Sequence, residues 1–585
     1  MSLRWSVRAH DIQLIRSIEQ TCKVSPVVAQ ILAVRGITHP QEVTSFFDLK
    51  LTGLRPPEQL PGVSNAVQHI YEMIQAGKKI VVYGDYDCDG MTSTAILYRC
   101  IKLLGGDAAY HVPSRLDDGY GVSIEALDGI KKKYDPGMVV TVDCGINSVT
   151  EVQHANSIGI GMVITDHHVI GPELPDALAI VHPALPGFDY PFTGLCGAGI
   201  AFKLAWALCQ KHHGSDKLPP EMRDFLFAAL SLAAIGTVAD VVPMLDENRI
   251  LVNHGLKLMR QFANHGLSEL LKLCKLTEKK ELSSEDIGFG IGPRLNAAGR
   301  LNQARLGVEL LTINDDEERA RSLAEYIDQL NKQRNSLDRG MLKAANKIIE
   351  RDYDVNIEPA LVLAEEDWQL GVIGIVAGRV AERYHRPTIM ISIDKNGKKP
   401  ATGSARSACG VNLYEAIKAC SEHLIKFGGH PAAAGLTIEP EKIDEFREAF
   451  CHEVREQLGK AEMIPELNID AEVPLSQLTL QALREVEQLA PFGQNNPRPI
   501  MCATDVKLAA DPQTMGKDAT HLSLQLEQHN VKIRAVGFGK SEWAAELENG
   551  DGCYDFAFKP VVNEFRGRRN VELQLIDFRK SGKTI

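Results

Sequence analysis

No stretch of this chain stays apolar for long enough to cross a bilayer. The nearest approach, Phe225 to Ala239, is closed off by Asp224 and Asp240. It falls short of the roughly 20 residues a spanning helix needs and reads as a buried helix, so no membrane partner is expected. The N-terminus, Met-Ser-Leu-Arg-Trp-Ser-Val-Arg, has no apolar core of signal-peptide type. The 12 cysteines are scattered and include no Cys-x-x-Cys pair. Neither a zinc ribbon nor a disulfide framework is indicated, and a reducing cytoplasm fits. Low-complexity tracts and internal repeats are absent. A basic excess is absent too, because 76 acidic residues face 64 basic ones for a net charge of −12. That argues against bulk adhesion to nucleic acid but leaves room for a local basic groove. What remains is ordinary globular sequence, 44% hydrophobic and 24% charged over 585 residues. A chain of that length exceeds one core and predicts about three or four domains.

From about residue 78 to 170, short apolar runs alternate with amphipathic ones. The runs beginning at Ile80, Ala108, Met138 and Gly161 predict strands; those beginning near Thr92, Ser123 and Val149 predict helices. Such alternation implies βαβ units and a doubly wound parallel sheet, whose ligands gather beyond the carboxyl ends of the strands. A mostly helical stretch follows, from about 197 to 275. The segment from Asp315 to Arg351 carries Leu323, Ile327, Leu330, Leu337, Met341 and Ile348 at helical spacing. As one helix of about 37 residues it would reach about 55 Å and could bridge two bodies. A second α/β unit is predicted from about 358 to 455. Beyond about 466 apolar residues mostly alternate, with Phe565-Arg-Gly-Arg-Arg569 as a hairpin turn, which predicts a small all-β domain or barrel.

Residues 81–90 read Val-Val-Tyr-Gly-Asp85-Tyr-Asp87-Cys-Asp89-Gly90. In an extended chain these three carboxylates project to one side, where like charges resist joint ionisation. A divalent cation of the magnesium or manganese kind relieves that repulsion; a solvated Asx turn ending at Gly90 is the alternative. Asp143, in Asp143-Cys-Gly-Ile-Asn147, follows the next predicted strand as a ligand or as a helix cap. Asp166-His167-His168 follows another; a neutral imidazole suits manganese, and the neighbouring Asp can orient it. Asp240 lies in apolar sequence and must be paired, protonated or metal-bound. These segments together supply oxygen and nitrogen donors enough for two divalent ions sharing a carboxylate, the arrangement used for phosphoester hydrolysis.

These motifs extend along the chain in a fixed order. Tyr-Gly-Asp-Tyr-Asp-Cys-Asp-Gly-Met-Thr-Ser-Thr-Ala (83–95), His-Val-Pro-Ser-Arg-Leu-Asp-Asp-Gly-Tyr-Gly (111–121), Asp-Cys-Gly-Ile-Asn (143–147), Asp-His-His (166–168) and Gly-Thr-Val-Ala-Asp (236–240) come first. Gly-Pro-Arg-Leu-Asn-Ala-Ala-Gly-Arg (292–300), Gly-Ser-Ala-Arg-Ser (403–407), Phe-Gly-Gly-His (427–430) and Pro-Phe-Gly-Gln-Asn-Asn-Pro (491–497) follow. Over nearly the full length they resemble the DHH phosphoesterase superfamily, and within it the bacterial exodeoxyribonucleases that trim single-stranded DNA from the 5′ end to nucleoside 5′-monophosphates in recombination and repair.

The resemblance implies a layout. Residues 1–45 would be an N-terminal helical segment, 46–275 the DHH domain, and 276–352 a DNA-contacting loop and long connecting helix. Residues 353–457 would be a DHH-associated substrate-binding domain and 465–582 an OB-like barrel binding single strands. It makes Asp87, Asp89, Asp143, His167 and Asp240 ligands of two Mn2+ or Mg2+ ions, with Asp143 the bridge. Asp85, Asp143, His168 and His430 become catalytic. Arg115, Tyr120, Arg294, Asn296, Arg300, Arg379, Ser404, Arg406 and His430 are expected to hold the strand and its 5′-phosphate, with Arg115, Arg294, Arg300 and Arg406 in Gly-, Pro- or Asn-rich loops. Some relatives carry histidine where this chain has Tyr83, which predicts one metal with fewer protein ligands, since tyrosine ionises only near pH 10. Single-strand-binding protein and a helicase are implied partners, and a monomer is expected. Another superfamily phosphodiesterase, acting on short RNA or a cyclic dinucleotide, and a silent strand-binding module are the competing readings.

Overall fold

The structure, a computed structural model, describes residues 3–7, 11–113, 121–459, 463–548, 552–565 and 567–582. The first body is built on strands β1 (Ile80–Gly84), β2 (Ala108–His111), β3 (Met138–Val142), β4 (Gly161–Thr165) and β5 (Ala179–Val181). They lie in the order β2-β1-β3-β4-β5, every neighbouring pair parallel. β1 and β3 are buried along their whole length, which is why both read as near-continuous apolar runs. The strand order reverses between β1 and β3, so their carboxyl ends flank the switch point where open α/β sheets bind ligands. Asp85 and Asp143 are the first residues beyond those two ends.

One face of this sheet is covered by α1 (Cys88–Leu103), α2 (Gly197–His213) and α3 (Pro220–Ala239), which share one large core with it. By length and composition α3 could cross a membrane, yet 67% of its apolar stretch is packed inside the fold. A one-turn π-helical segment, Ile287–Ile291, runs into α4 (Gly292–Arg300). The long charged segment is a single helix, α5 (Glu317–Asp352, 36 residues), started by Asp316, whose carboxylate accepts from the Arg319 amide at 2.8 Å. Leu323, Ala324, Ile327 and Leu330 of α5 pack in the first core; Met341, Ala345 and Ile349 pack in the second. The helix is thus the beam between two bodies.

The second body comprises β6 (Leu361–Glu366), α6 (Leu370–Tyr384), β7 (Thr388–Ile393), β8 (Ala401–Arg406), β9 (Lys426–His430) and β10 (Ala433–Ile438). Its sheet runs β9-β10-β8-β7-β6, with only β6 and β7 parallel. The C-terminal strands β11 (Met501–Leu508), β12 (His521–Gln528), β13 (Val531–Gly537), β14 (Tyr554–Phe565) and β15 (Arg568–Lys580) pair in the circuit β11-β14-β15-β13-β12. Antiparallel pairing of Lys507 and Leu508 with Glu527 and Leu526 closes the barrel.

The N-terminal helices do not form an independent unit. Ile18, Val27, Val28, Ile31 and Leu32 lie in the same core as Leu522, Leu524, Phe556 and Phe558 of the barrel. The 491–497 motif turns out to be a junction. Asn496 donates to the carbonyls of Leu489 (3.0 Å) and Pro491 (2.8 Å). Buried Arg249, from the first body, donates to Leu489 O at 2.8 Å, fastening the barrel to that body.

Candidate metal centre

The three aspartates after β1 converge by a different route from the alternation the sequence suggests. The strand stops at Gly84, and α1 starts at Cys88 rather than near Thr92. Asp87 is the N-cap of α1, its carboxylate accepting from the Gly90 amide at 2.9 Å. Asp89 sits in the first turn and accepts from the amides of Gly197 (2.6 Å) and Ala198 (2.9 Å). It therefore anchors the N-terminus of α2, where the helix dipole favours a negative charge. The hydroxyls of Thr92, Ser93 and Thr94 bond back to carbonyls of the same turn. That local bonding frees the aspartates to face inward. Asn296 on α4 accepts from the Cys88 amide at 2.9 Å and steadies the loop from the far side. Gly236 on α3 is needed for a close approach, since a β-carbon there would lie 2.3 Å from Asp89 Oδ1.

Asp143 takes the left-handed conformation, φ 62°, while its amide holds Thr165 O at 2.9 Å. Val241, directly after Asp240, has φ 60°. A β-branched residue there is strained, and such strain clusters at functional sites. Asp240 caps the C-terminus of α3. His167 Nε2 lies 3.1 Å from Asp143 Oδ1, 3.5 Å from Asp240 Oδ2 and 3.9 Å from Asp89 Oδ2. Three groups each bring their ligand atoms within 4.8 Å: Asp85 with Asp87 and Asp143; Asp89 with His167 and Asp240; Asp143 with His167 and His168. Asp143 belongs to two of them, as a bridging carboxylate must.

The electrostatics of the cluster fit a cation. Burial and the charges of Asp89, Asp87, Asp85 and Asp240 push the Asp143 carboxyl well up. Burial and Asp89 also raise Asp87 and carry Asp240 from 3.8 to about 8. Burial lowers His167, which is therefore a neutral imidazole able to ligate. Asp143 Oδ1 and His167 Nε2 are buried with no hydrogen-bond partner although only 3.1 Å apart. Their lone pairs meet without aligning as donor and acceptor. Orphaned buried donors beside mutually repelling carboxylates match a bound divalent ion. Because a metal needs these acids ionised, binding must displace protons and tighten as pH rises.

Asp166 is the residue that sequence reasoning treated only as a neighbour. Its Oδ1 accepts from the amides of His167 (2.7 Å) and His168 (3.1 Å) and meets His168 Nδ1 at 2.7 Å. Its Oδ2 accepts from the Ile146 amide at 2.9 Å. Burial pulls His168 down, but the Asp166 hydrogen bond and charge outweigh it and hold the imidazole at about 9, protonated at neutral pH. The partner amide, Ile146, lies 20 residues upstream, a separation no local motif reveals.

The predicted strand-holding residues divide. Arg115 and Tyr120 lie outside the described residues. Arg294 and Arg300 belong to helix α4, and Ser404 and Arg406 to strand β8, not to loops. Gly428-Gly429-His430 likewise forms strand β9 rather than a turn, because its backbone pairs with Ala433–Gly435. Arg294 is engaged with Asp328 (2.8 Å) and Gly290 O (2.8 Å), and Arg379 with Asp338 (2.9 Å). The carbonyl of Asn296 is committed to the aspartate loop. Arg300 crosses to the second body, donating to Gly371 O at 3.0 Å. Arg406 and Ser404, 3.0 Å apart, lie against Gly374 of the same helix α6. So Arg300, Ser404 and Arg406 gather at the first turns of α6, while α4 also touches the aspartate loop. His430 is exposed and, among the described residues, makes no hydrogen bond or ion pair with the acidic cluster.

Three family models match the chain: the DHH family N-terminal domain over residues 79–230, the DHHA1 domain over 358–456 and the RecJ OB domain over 469–577. The single-stranded-DNA-specific exonuclease RecJ of Bacillus subtilis is 36% identical over 576 residues, covering 98% of this chain and 70% of that one. The chain belongs to the RecJ family. RecJ of Escherichia coli is 34% identical over 577 residues, 95% of this chain and 97% of its own. The crystal structure of RecJ from Thermus thermophilus in complex with Mn2+ superposes with a TM-score of 0.83 at 29% identity, covering 99% of this chain and 79% of that one. Tyr83 lies in β1, two residues before Asp85. It is fully buried on the other face of the sheet, its hydroxyl donating to Gly121 O at 3.0 Å and its ring 5.0 Å from that of His111.

Proposed function

We propose that this chain is a metal-dependent exonuclease that hydrolyses single-stranded DNA from its 5′ end and releases nucleoside 5′-monophosphates. The observation that carries the reading is the convergence of Asp85, Asp87, Asp89, Asp143, His167 and Asp240 at the switch point, with buried donor atoms left unpaired. Asp87, Asp89, Asp143, His167 and Asp240 would hold two manganese or magnesium ions, Asp143 shared between them. When bound, such ions supply Lewis acidity and an activated water for attack on phosphorus. Asp85 accepts from the Tyr86 amide at 2.8 Å and holds the loop's shape. His168, kept protonated by Asp166, offers a proton or a charge-assisted hydrogen bond to a phosphate oxygen.

Arg300 from α4, with Ser404 and Arg406 of the second body, would bind the terminal 5′-phosphate, the arginine forks suiting a dianion. Arg294, Arg379 and exposed His430 are assigned to strand binding in this reading, as are Arg115 and Tyr120. A cleft between two bodies braced by one helix admits a flexible strand and excludes a duplex. The barrel adds a single-strand-binding surface near Arg569. A soluble cytoplasmic monomer acting in repair beside a helicase and single-strand-binding protein completes the proposal.

Digestion of 5′- and 3′-labelled strands and blunt duplex, with and without Mn2+, tests it. The 5′ label should leave first as a mononucleotide, only with metal, while the 3′ label shortens as a ladder and the duplex persists. Release from the 3′ end, or preference for a dinucleotide over a long strand, would overturn the reading.

A further inference from the structure

Four cations on the bridging helix α5 and its neighbour α6 are neutralised. Arg319 pairs with Glu309, Lys332 with Asp328, Arg351 with Asp352 and Arg379 with Asp338. Arg339, Lys343, Lys347 and Arg383 are not. All four are exposed, and none makes an ion pair among the described residues. Together they line one groove of about 430 Å³, with Glu350 as its only carboxylate. Its polar floor is fixed by Tyr384, whose hydroxyl donates to Asn346 Oδ1 at 3.1 Å.

Arg339, Lys343 and Lys347 recur every fourth residue, so they form a row on one face of α5. Like charges at that spacing work against the helix. In a chain of net charge −12, a row of unneutralised cations is a local reversal of sign that an anion would relieve. The groove lies outside the cleft described above. Gly374 of α6 faces Arg406 and Ser404, whereas Arg383 follows it by nine residues. At about 100° per residue, nine steps are half a turn from an integral number of turns, which puts Arg383 on the opposite side of α6.

We propose that this groove is a second strand-binding track, holding backbone phosphates of the same DNA molecule remote from the end being cut. The inference rests on the exonuclease reading. A strand anchored in the cleft is the polyanion held at highest effective concentration beside the groove. Lysine and arginine without carboxylate partners suit phosphates read for charge and not for sequence. Such a track would keep a long substrate attached between successive cuts.

The test compares K343A/K347A with the parent protein by fluorescence anisotropy, without divalent metal, on strands of about 60 and about 6 nucleotides. On the long strand the slope of log affinity against log salt should shrink by about 1.4, two phosphate contacts at about 0.7 each. Affinity at low salt should fall several-fold, and K343R/K347R should restore both. Binding of the short strand should be unchanged. An unaltered slope on long strands would overturn the proposal, as would an equal loss on short ones. Since binding is read without hydrolysis, failure of the nuclease reading would appear separately, as absence of metal-dependent cleavage in the parent protein.

Discussion

Asp143→Ala should lower strand cleavage by about 10³-fold or more, with single-strand affinity nearly unchanged. Asp143 is the only carboxylate that belongs to two of the three ligand groups, so its loss disconnects both. Its nearest neighbours are other acids and His167, not Arg300, Ser404 or Arg406, so strand contacts survive. The variant should also fold. Removing a buried carboxyl that four neighbouring acids oppose relieves repulsion in the metal-free protein. Thermal unfolding without metal should therefore be unchanged or higher, while the rise produced by Mn2+ shrinks. Steady-state digestion, strand binding and unfolding measured on one preparation check all three. Retained nuclease activity would remove Asp143 from the centre.

Asp166→Ala should cost about 10- to 100-fold in cleavage, the usual penalty for losing a carboxylate that orients a ligating or reacting histidine. It should also cost stability. The amides of Ile146, His167 and His168 would lose their acceptor, at about 1–3 kcal/mol for each buried group left unpaired. His168 would lose the contact that keeps it protonated at neutral pH, so the alkaline limb of the pH–rate profile should move down. Asp166→Asn keeps one acceptor oxygen, enough for the His167 and His168 amides but not for that of Ile146, so it should recover part of the stability while the shifted profile remains. A profile unchanged in both variants would show that His168 does not work through Asp166.

The parallel sheet was legible because β1, β3 and β4 are buried on both faces and read as unbroken apolar runs. The long helix was legible from its spacing, and its ends, Glu317 and Asp352, lie close to the predicted ones. The local geometry of the aspartates was not. Asp85, Asp87 and Asp89 look like alternate residues of a strand, but Asp87 is an N-cap, a role decided by the Gly90 amide it accepts from. The arginines misled for a related reason. Glycine, proline and asparagine around Arg294 and Arg300 suggest a loop, yet Pro293 occupies the first turn of α4, where it costs no hydrogen bond. The union of the N-terminal helices with the barrel core could not be read at all, since residues near Val27 and Phe556 share no local pattern. That Asp166 could orient a histidine was legible from its place in the motif, but its bond to the Ile146 amide, beyond the neighbouring strand, was not.

Calorimetric titration of Mn2+ into chelator-stripped protein tests the central claim most directly. Asp240 holds its proton up to about 8 in the metal-free fold, against 3.8 when unperturbed. A raised acid contributes stability below its unfolded value, and that contribution is lost as pH climbs through the folded one. Metal must displace that proton at pH 7, so affinity should rise by about tenfold per unit between about pH 6 and pH 8. The account predicts about two ions per chain, with that pH dependence and with weaker binding in Asp143→Ala. A single ion, or an affinity flat across this range and indifferent to Asp143, would contradict it.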